Sequence, residues 1–80
     1  MLKKILDTFP DNEILIADGF DAAVIGIDTL EMRLIYSVTK CIKILMKQGM
    51  SEEDAIEYFD FNVSSAYMGE QTPIWCSDGF

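Results

Sequence analysis

No histidine occurs in these 80 residues. That removes the commonest general base, the commonest metal ligand and the side chain that titrates nearest neutral pH. Cysteine is almost as scarce. Cys41 and Cys76 are the whole complement, too few for a disulfide framework, and both read as reduced thiols. Positive charge is thin: six Lys and Arg stand against 14 Asp and Glu, for a net charge of −8. So acidic a chain repels phosphate backbones and anionic membranes, and direct nucleic-acid binding is not expected. No apolar run approaches a membrane span. The opening Met1-Leu2-Lys3-Lys4-Ile5-Leu6 is stopped by Asp7, far short of a signal peptide. The expected location is the cytoplasm. Gly19, Gly26 and Gly69 form neither a G-x-G-x-x-G nor a P-loop pattern, and no loop has EF-hand spacing. No catalytic residue, cofactor or metal site is assigned.

What remains is apolar. Half the chain is hydrophobic, with five Phe, three Tyr, one Trp and five Met. Residues 1–80 make one domain, able to hide about 60–65% of its unfolded surface. The apolar content suffices for a core without staples. It also exceeds what a small monomer hides, which points to a protein partner or to oligomers of the chain itself.

Residues 1–17 read ambiguously. Leu2, Ile5, Leu6 and Phe9 share a helical face that Pro10 ends; Glu13–Ala17 fits either a strand or more helix. Asp18-Gly19 marks a turn. Ala22–Ile27 reads as a strand, with Ala23, Ile25 and Ile27 on one face and Val24 and Gly26 on the other. Asp28–Glu31 makes a hairpin loop, and Met32–Tyr36 is the returning strand. A two-stranded hairpin needs cover.

Two helices over Ser37–Tyr67 supply it. Ser37 caps the first, which buries Val38, Cys41, Ile42 and Leu45 and turns Lys40, Lys43 and Lys47 outward. Gly49 closes it. Ser51 caps the second, whose first turn is Glu52, Glu53 and Asp54. Its inner stripe is Ala55, Ile56, Phe59, Val63 and Ala66; its outer stripe is Glu53, Glu57 and Asp60. Gly69 ends the pattern, Thr72-Pro73 is extended, and Ile74-Trp75 lies along the hairpin as an edge strand or packs across the helices. Ser77–Phe80 is expected to fray unless docked. The fold class is therefore α+β: a β-hairpin packed on a two-helix hairpin, with an extended C-terminal segment.

Chemistry-bearing groups are sparse. Glu53, Glu57 and Asp60 share a helical face, but one straight helix cannot wrap a metal ion. Asp18, Asp21 and Asp28 suit turns as well as a carboxylate cluster. Cys41 has no histidine to activate it. The aromatics Tyr58, Phe61, Tyr67 and Trp75 stand out, since exposed aromatics anchor interfaces. The surface left for a protein partner is Lys40, Lys43, Lys47, Glu57, Asp60, Phe61 and Trp75.

A longer string carries a resemblance. Ala23-Val24-Ile25-Gly26-Ile27, Ile35-Tyr36-Ser37, Cys41–Met46, Gly49–Ala55, Glu57–Val63, Ala66–Glu70 and Thr72-Pro73-Ile74 resemble a group of short hypothetical proteins found mainly in tailed bacteriophages and some bacteria. The motif string occupies residues 18–76. The resemblance implies a phage accessory protein acting in the host cytoplasm, and it supplies no catalytic residues. The expected function is non-enzymatic binding of a host or viral protein, in host takeover or anti-defence. Two alternatives stand beside it: a small enzyme or small-ligand or metal binder using Asp and Glu residues, with Asp18, Asp21, Asp28 or Glu70-Gln71-Thr72 as its candidates, and a self-assembling structural protein.

Overall fold

A computed structural model describes residues 1–66 and 69–79. The order of elements is α1 (Leu2–Thr8), a 3₁₀ turn (Asp21–Ala23), β1 (Val24–Asp28), β2 (Arg33–Ser37), α2 (Val38–Lys47), α3 (Glu52–Tyr58), a π-helical turn (Phe59–Val63) and β3 (Ile74–Cys76). The fold is α+β. The strands make one sheet with β2 in the middle, antiparallel to β1 and parallel to β3. Ile74-Trp75 thus takes the edge-strand option. Residues 13–17 are neither helix nor strand. They run half-buried from Ile14 to Ala17, and the Ala17 N–H donates to the Tyr36 hydroxyl at 2.8 Å.

β1 departs from simple alternation. Val24 pairs with Tyr36 but Gly26 pairs with Ile35, so Ile25 is a bulge residue with no partner of its own. An extra residue in one strand reverses the parity of everything after it. Val24 and Ile27 consequently both face the core, opposite Tyr36 and Leu34, while Ile25 stays outside the core cluster. This corrects the expected grouping of Ala23, Ile25 and Ile27 on one face. The return strand starts one residue late, because Met32 adopts a left-handed φ of 56° and belongs to the turn.

Local chemistry punctuates the helices as expected. The Ser37 hydroxyl accepts from Lys40 N and the Ser51 hydroxyl from Asp54 N, each at 3.1 Å. At the end of α2, Gly49 N donates to Met46 O at 3.0 Å and Met50 N to Leu45 O at 3.4 Å. That is the Schellman arrangement, and it needs the left-handed φ of 107° that Gly49 adopts.

The second helix ends earlier than its pattern suggests. Ser64 N donates to Phe59 O at 2.9 Å, an i to i+5 bond that widens the last turn. Asn62 and Ser65 side chains then donate to the carbonyls of Tyr58 and Phe61 at 3.2 and 2.8 Å. These bonds satisfy carbonyls that would otherwise be orphaned at a helix end. Val63 remains packed on the core, but Ala66 is exposed, against its expected place on the inner stripe. Tyr67, Met68 and Phe80 lie outside the described residues.

One core unites these elements. Leu34, Tyr36, Cys41 and Ala55 are fully buried, and Ile5, Phe20, Val24, Leu45 and Phe59 nearly so. The C-terminal segment docks onto it. Asp78 Oδ1 accepts from Thr39 N at 3.4 Å, and a Cβ added at Gly79 would meet Thr39 Oγ1 at 2.5 Å. Asp78 lies at the start of α2, where the helix has no acid of its own. Its carboxyl is held below the ordinary aspartate value, chiefly by the Ser37 hydroxyl and then by Thr39. Ser37, fully buried, therefore serves both the helix cap and the tail. Ser37→Ala should cost about 1–2 kcal/mol, the upper part of the range for a lost cap. A urea melt checks this; an unchanged midpoint would show that the cap and the Asp78 contact contribute nothing.

Candidate functional site

The shape of α2 and α3 leaves a groove between them. Its volume is about 590 Å³, with Val38, Ile42 and Met46 on one wall and Ile56 and Phe59 on the other. The inner positions Cys41, Leu45 and Ala55 are spent on the core. The next positions round each helix, about 100° away, open onto the groove. Ile56 was expected inside. It is instead 45% exposed, and Met46 is 38% exposed. Closing α3 onto the sheet with Ala55 and Phe59 turns Ile56 sideways toward α2.

The groove's margins carry charge of opposite sign. Lys43 borders it from α2, Glu52 from α3 and Asp60 from the π-helical turn that continues it. Lys40 and Lys47 are exposed further along α2, and Glu53 is exposed beside Glu52 on α3. Among the described residues none of these lysines makes an ion pair with a carboxylate; the pair that forms, Arg33–Glu31 at 3.3 Å, lies elsewhere. Two charged margins therefore flank an apolar trough, each with its charge available to a second molecule.

The sequence-derived partner residues separate into three places. Lys43 and Asp60 are brought together at the groove. Glu57 and Phe61 turn to the far flank of the second helix, where they border a shallow hollow with Tyr58 and Asn62. Phe61 is 74% exposed there. Trp75 goes inward. Its ring lies 5.0 Å from Tyr36 and 5.3 Å from Phe59, edge-on to the latter, and its buried indole N–H meets no acceptor among the described residues. The edge strand places Trp75 level with Tyr36, which makes it the link between sheet and α3. Met46 and Ile56 were missed as surface residues. The signal for them was their position at the border of each apolar stripe.

Of the carboxylate candidates, Asp18 and Asp21 both act on the buried Tyr36 hydroxyl, adding their charge to burial in raising its pKa, and Asp28 serves its own turn. Asp28 Oδ1 accepts from Leu30 N at 2.9 Å, the ordinary work of an aspartate that starts a turn. Among the described residues no three Cys, Asp or Glu side chains are grouped so as to hold a metal ion. A hollow of about 800 Å³ is bordered by Leu15, Glu31, Glu70 and Gln71. The nearby Arg33 is engaged by Glu31 and by the Thr72 carbonyl, to which its Nε donates at 2.6 Å. Cys41 is sealed in, and burial pushes its thiol up to about 12, with the Asp78 charge adding to the effect. No described helix is long and apolar enough to cross a membrane.

Comparison with protein-family models, with curated proteins and with solved structures returns no match. The groove and its charged margins are thus interpreted on their own chemistry.

Proposed function

We propose that this chain is a non-enzymatic binding protein that acts by covering part of another protein with its α2–α3 face. The observation that carries the reading is the groove itself. Met46 and Ile56 stand 38% and 45% exposed in an apolar trough, between margins of opposite charge, Lys43 on one side and Glu52 and Asp60 on the other, that form no ion pair among the described residues. Apolar anchors supply binding energy once desolvated, while the flanking charges set register and exclude wrong partners. The chemistry of the chain supports the same reading, since no histidine is present to act as a base and its buried thiol is suppressed.

The resemblance of residues 18–76 to short phage proteins extends the proposal. In that setting the chain is a phage accessory protein, working in the host cytoplasm on a host or viral protein in takeover or anti-defence. The test is affinity capture from a bacterial lysate with immobilised wild type and an Ile56→Asp variant. A protein retained by the wild type and lost with Ile56→Asp is the expected result. Equal retention by both, or retention by neither, would count against this face.

A further inference from the structure

We infer that in the isolated protein the α2–α3 face is covered by a second copy of the same chain, in a two-fold dimer that lays α2 of each protomer over α3 of the other. The inference rests on the reading of this face as a protein-binding surface and names its occupant. A two-fold interface must be self-complementary, and this face is. Lys43 on α2 and Glu52 and Asp60 on the second helix lie on opposite sides of one apolar trough, with Lys40 and Lys47 exposed further along α2 and Glu53 exposed beside Glu52. Rotation about an axis parallel to the helical hairpin sets lysines on acids along both margins at once. The same rotation brings Ile56 and Met46 of the two copies together across the trough. An in-plane axis at right angles would set lysines on lysines, so the charges choose one dimer over the other.

The net charge of −8 on each copy opposes association at long range. At physiological salt, charges beyond about 8 Å are largely screened, so the neighbouring stripes decide the local balance. The charges also have no competing use within the protomer, because the described lysines of α2 and acids of α3 form no ion pair with one another. Pairing them across two copies satisfies both stripes and buries the exposed anchors.

The test is sedimentation equilibrium on the full chain at about 10–100 µM, the range in which a modest interface dissociates. Four forms are compared. The first is the wild type. The second carries Lys40→Glu, Lys43→Glu and Lys47→Glu. The third carries Glu52→Lys, Glu53→Lys and Asp60→Lys. All six positions are exposed, and circular dichroism verifies that each form is folded. The wild type should be dimeric. Each charge variant alone should dissociate at least about tenfold more readily, since like charges then oppose one another on both margins. An equimolar mixture of the two variants should form a heterodimer, because every swapped stripe meets its new complement.

Ile56→Asp is the fourth form, and it should be monomeric while keeping the wild-type helix content. A monomeric wild type overturns the inference and leaves the affinity capture of another protein to decide the proposed function. A dimer that persists in both charge variants and in Ile56→Asp also overturns it, by locating the contact on another surface. Failure of the two folded variants to pair when mixed rejects the α2-on-α3 geometry.

Discussion

Tyr36→Ala should leave the chain largely unfolded at room temperature. Tyr36 is fully buried in the central strand, opposite Val24 on one side and Trp75 on the other. Truncating a buried aromatic costs about 3–5 kcal/mol. The change also strips the Ala17 N–H of its acceptor, worth about 1–3 kcal/mol when the donor stays buried. A domain of 80 residues has only about 4–12 kcal/mol to lose, at roughly 0.05–0.15 kcal/mol per residue. The two costs together consume most of that. Tyr36→Phe separates them, because the ring stays and only the acceptor goes. It should cost about 1–2 kcal/mol, as Ala17 is half-buried and water can partly replace the hydroxyl. Urea unfolding followed by circular dichroism reads both variants. Were Tyr36→Ala to keep the wild-type midpoint, the sheet, the N-terminal segment and the helices could not share the core described above.

How much of this was readable before the structure depended on distance along the chain. Ser37, Gly49 and Ser51 announce the helical hairpin because a cap bond spans only a few residues, and the backbone alone decides it. The exposed lysine stripe was equally legible, from helical periodicity. The bulge at Ile25 was not, because it is set by pairing with β2 rather than by anything within β1. Ile56 carries the same lesson. Periodicity gave it an apolar face, but the rotation that α3 adopts on the sheet, fixed by Phe59 against Trp75, turned it to the surface. Trp75 itself looked like an interface anchor because its partners lie far away in sequence. The docking of Asp78 on Thr39 joins residues 39 positions apart, and no local pattern reports such a contact. The site suffered most from this. A lysine on one helix and an acid on the next were visible, but only packing could show that Lys43 and Asp60 border the same groove and that Glu57 does not.

At pH 8 the two cysteines should differ in reactivity by orders of magnitude. Cys41 is fully buried in α2, and its thiol is raised from 9.0 to about 12 by burial, with the negative charge of Asp78 acting in the same direction. The thiolate is the reactive form. A rise of that size lowers the thiolate fraction at neutral pH by roughly 10³, and burial adds an access barrier. In the folded protein a disulfide reagent should therefore label Cys41 at least about 10³-fold more slowly than it labels the unfolded chain. Cys76, half-buried on the edge strand, should be labelled first. In urea the two thiols should react alike. The same shift has a consequence for stability. The folded value lies above the unfolded one, so the contribution of Cys41 is complete below about pH 9 and is lost as the pH rises toward 12. In that window the unfolded chain releases a proton that the folded chain keeps. Each such group lowers stability by at most about 1.4 kcal/mol per pH unit. Tyr36 is raised from 10.0 by burial as well and acts in the same direction. Cys41→Ala should consequently flatten the alkaline limb of the stability curve without abolishing it. Rapid labelling of Cys41 in the folded state would contradict the burial on which this rests, and would reopen the question of a nucleophile. A slow rate places the residue firmly in the core, where it forms part of the support beneath the α2–α3 surface.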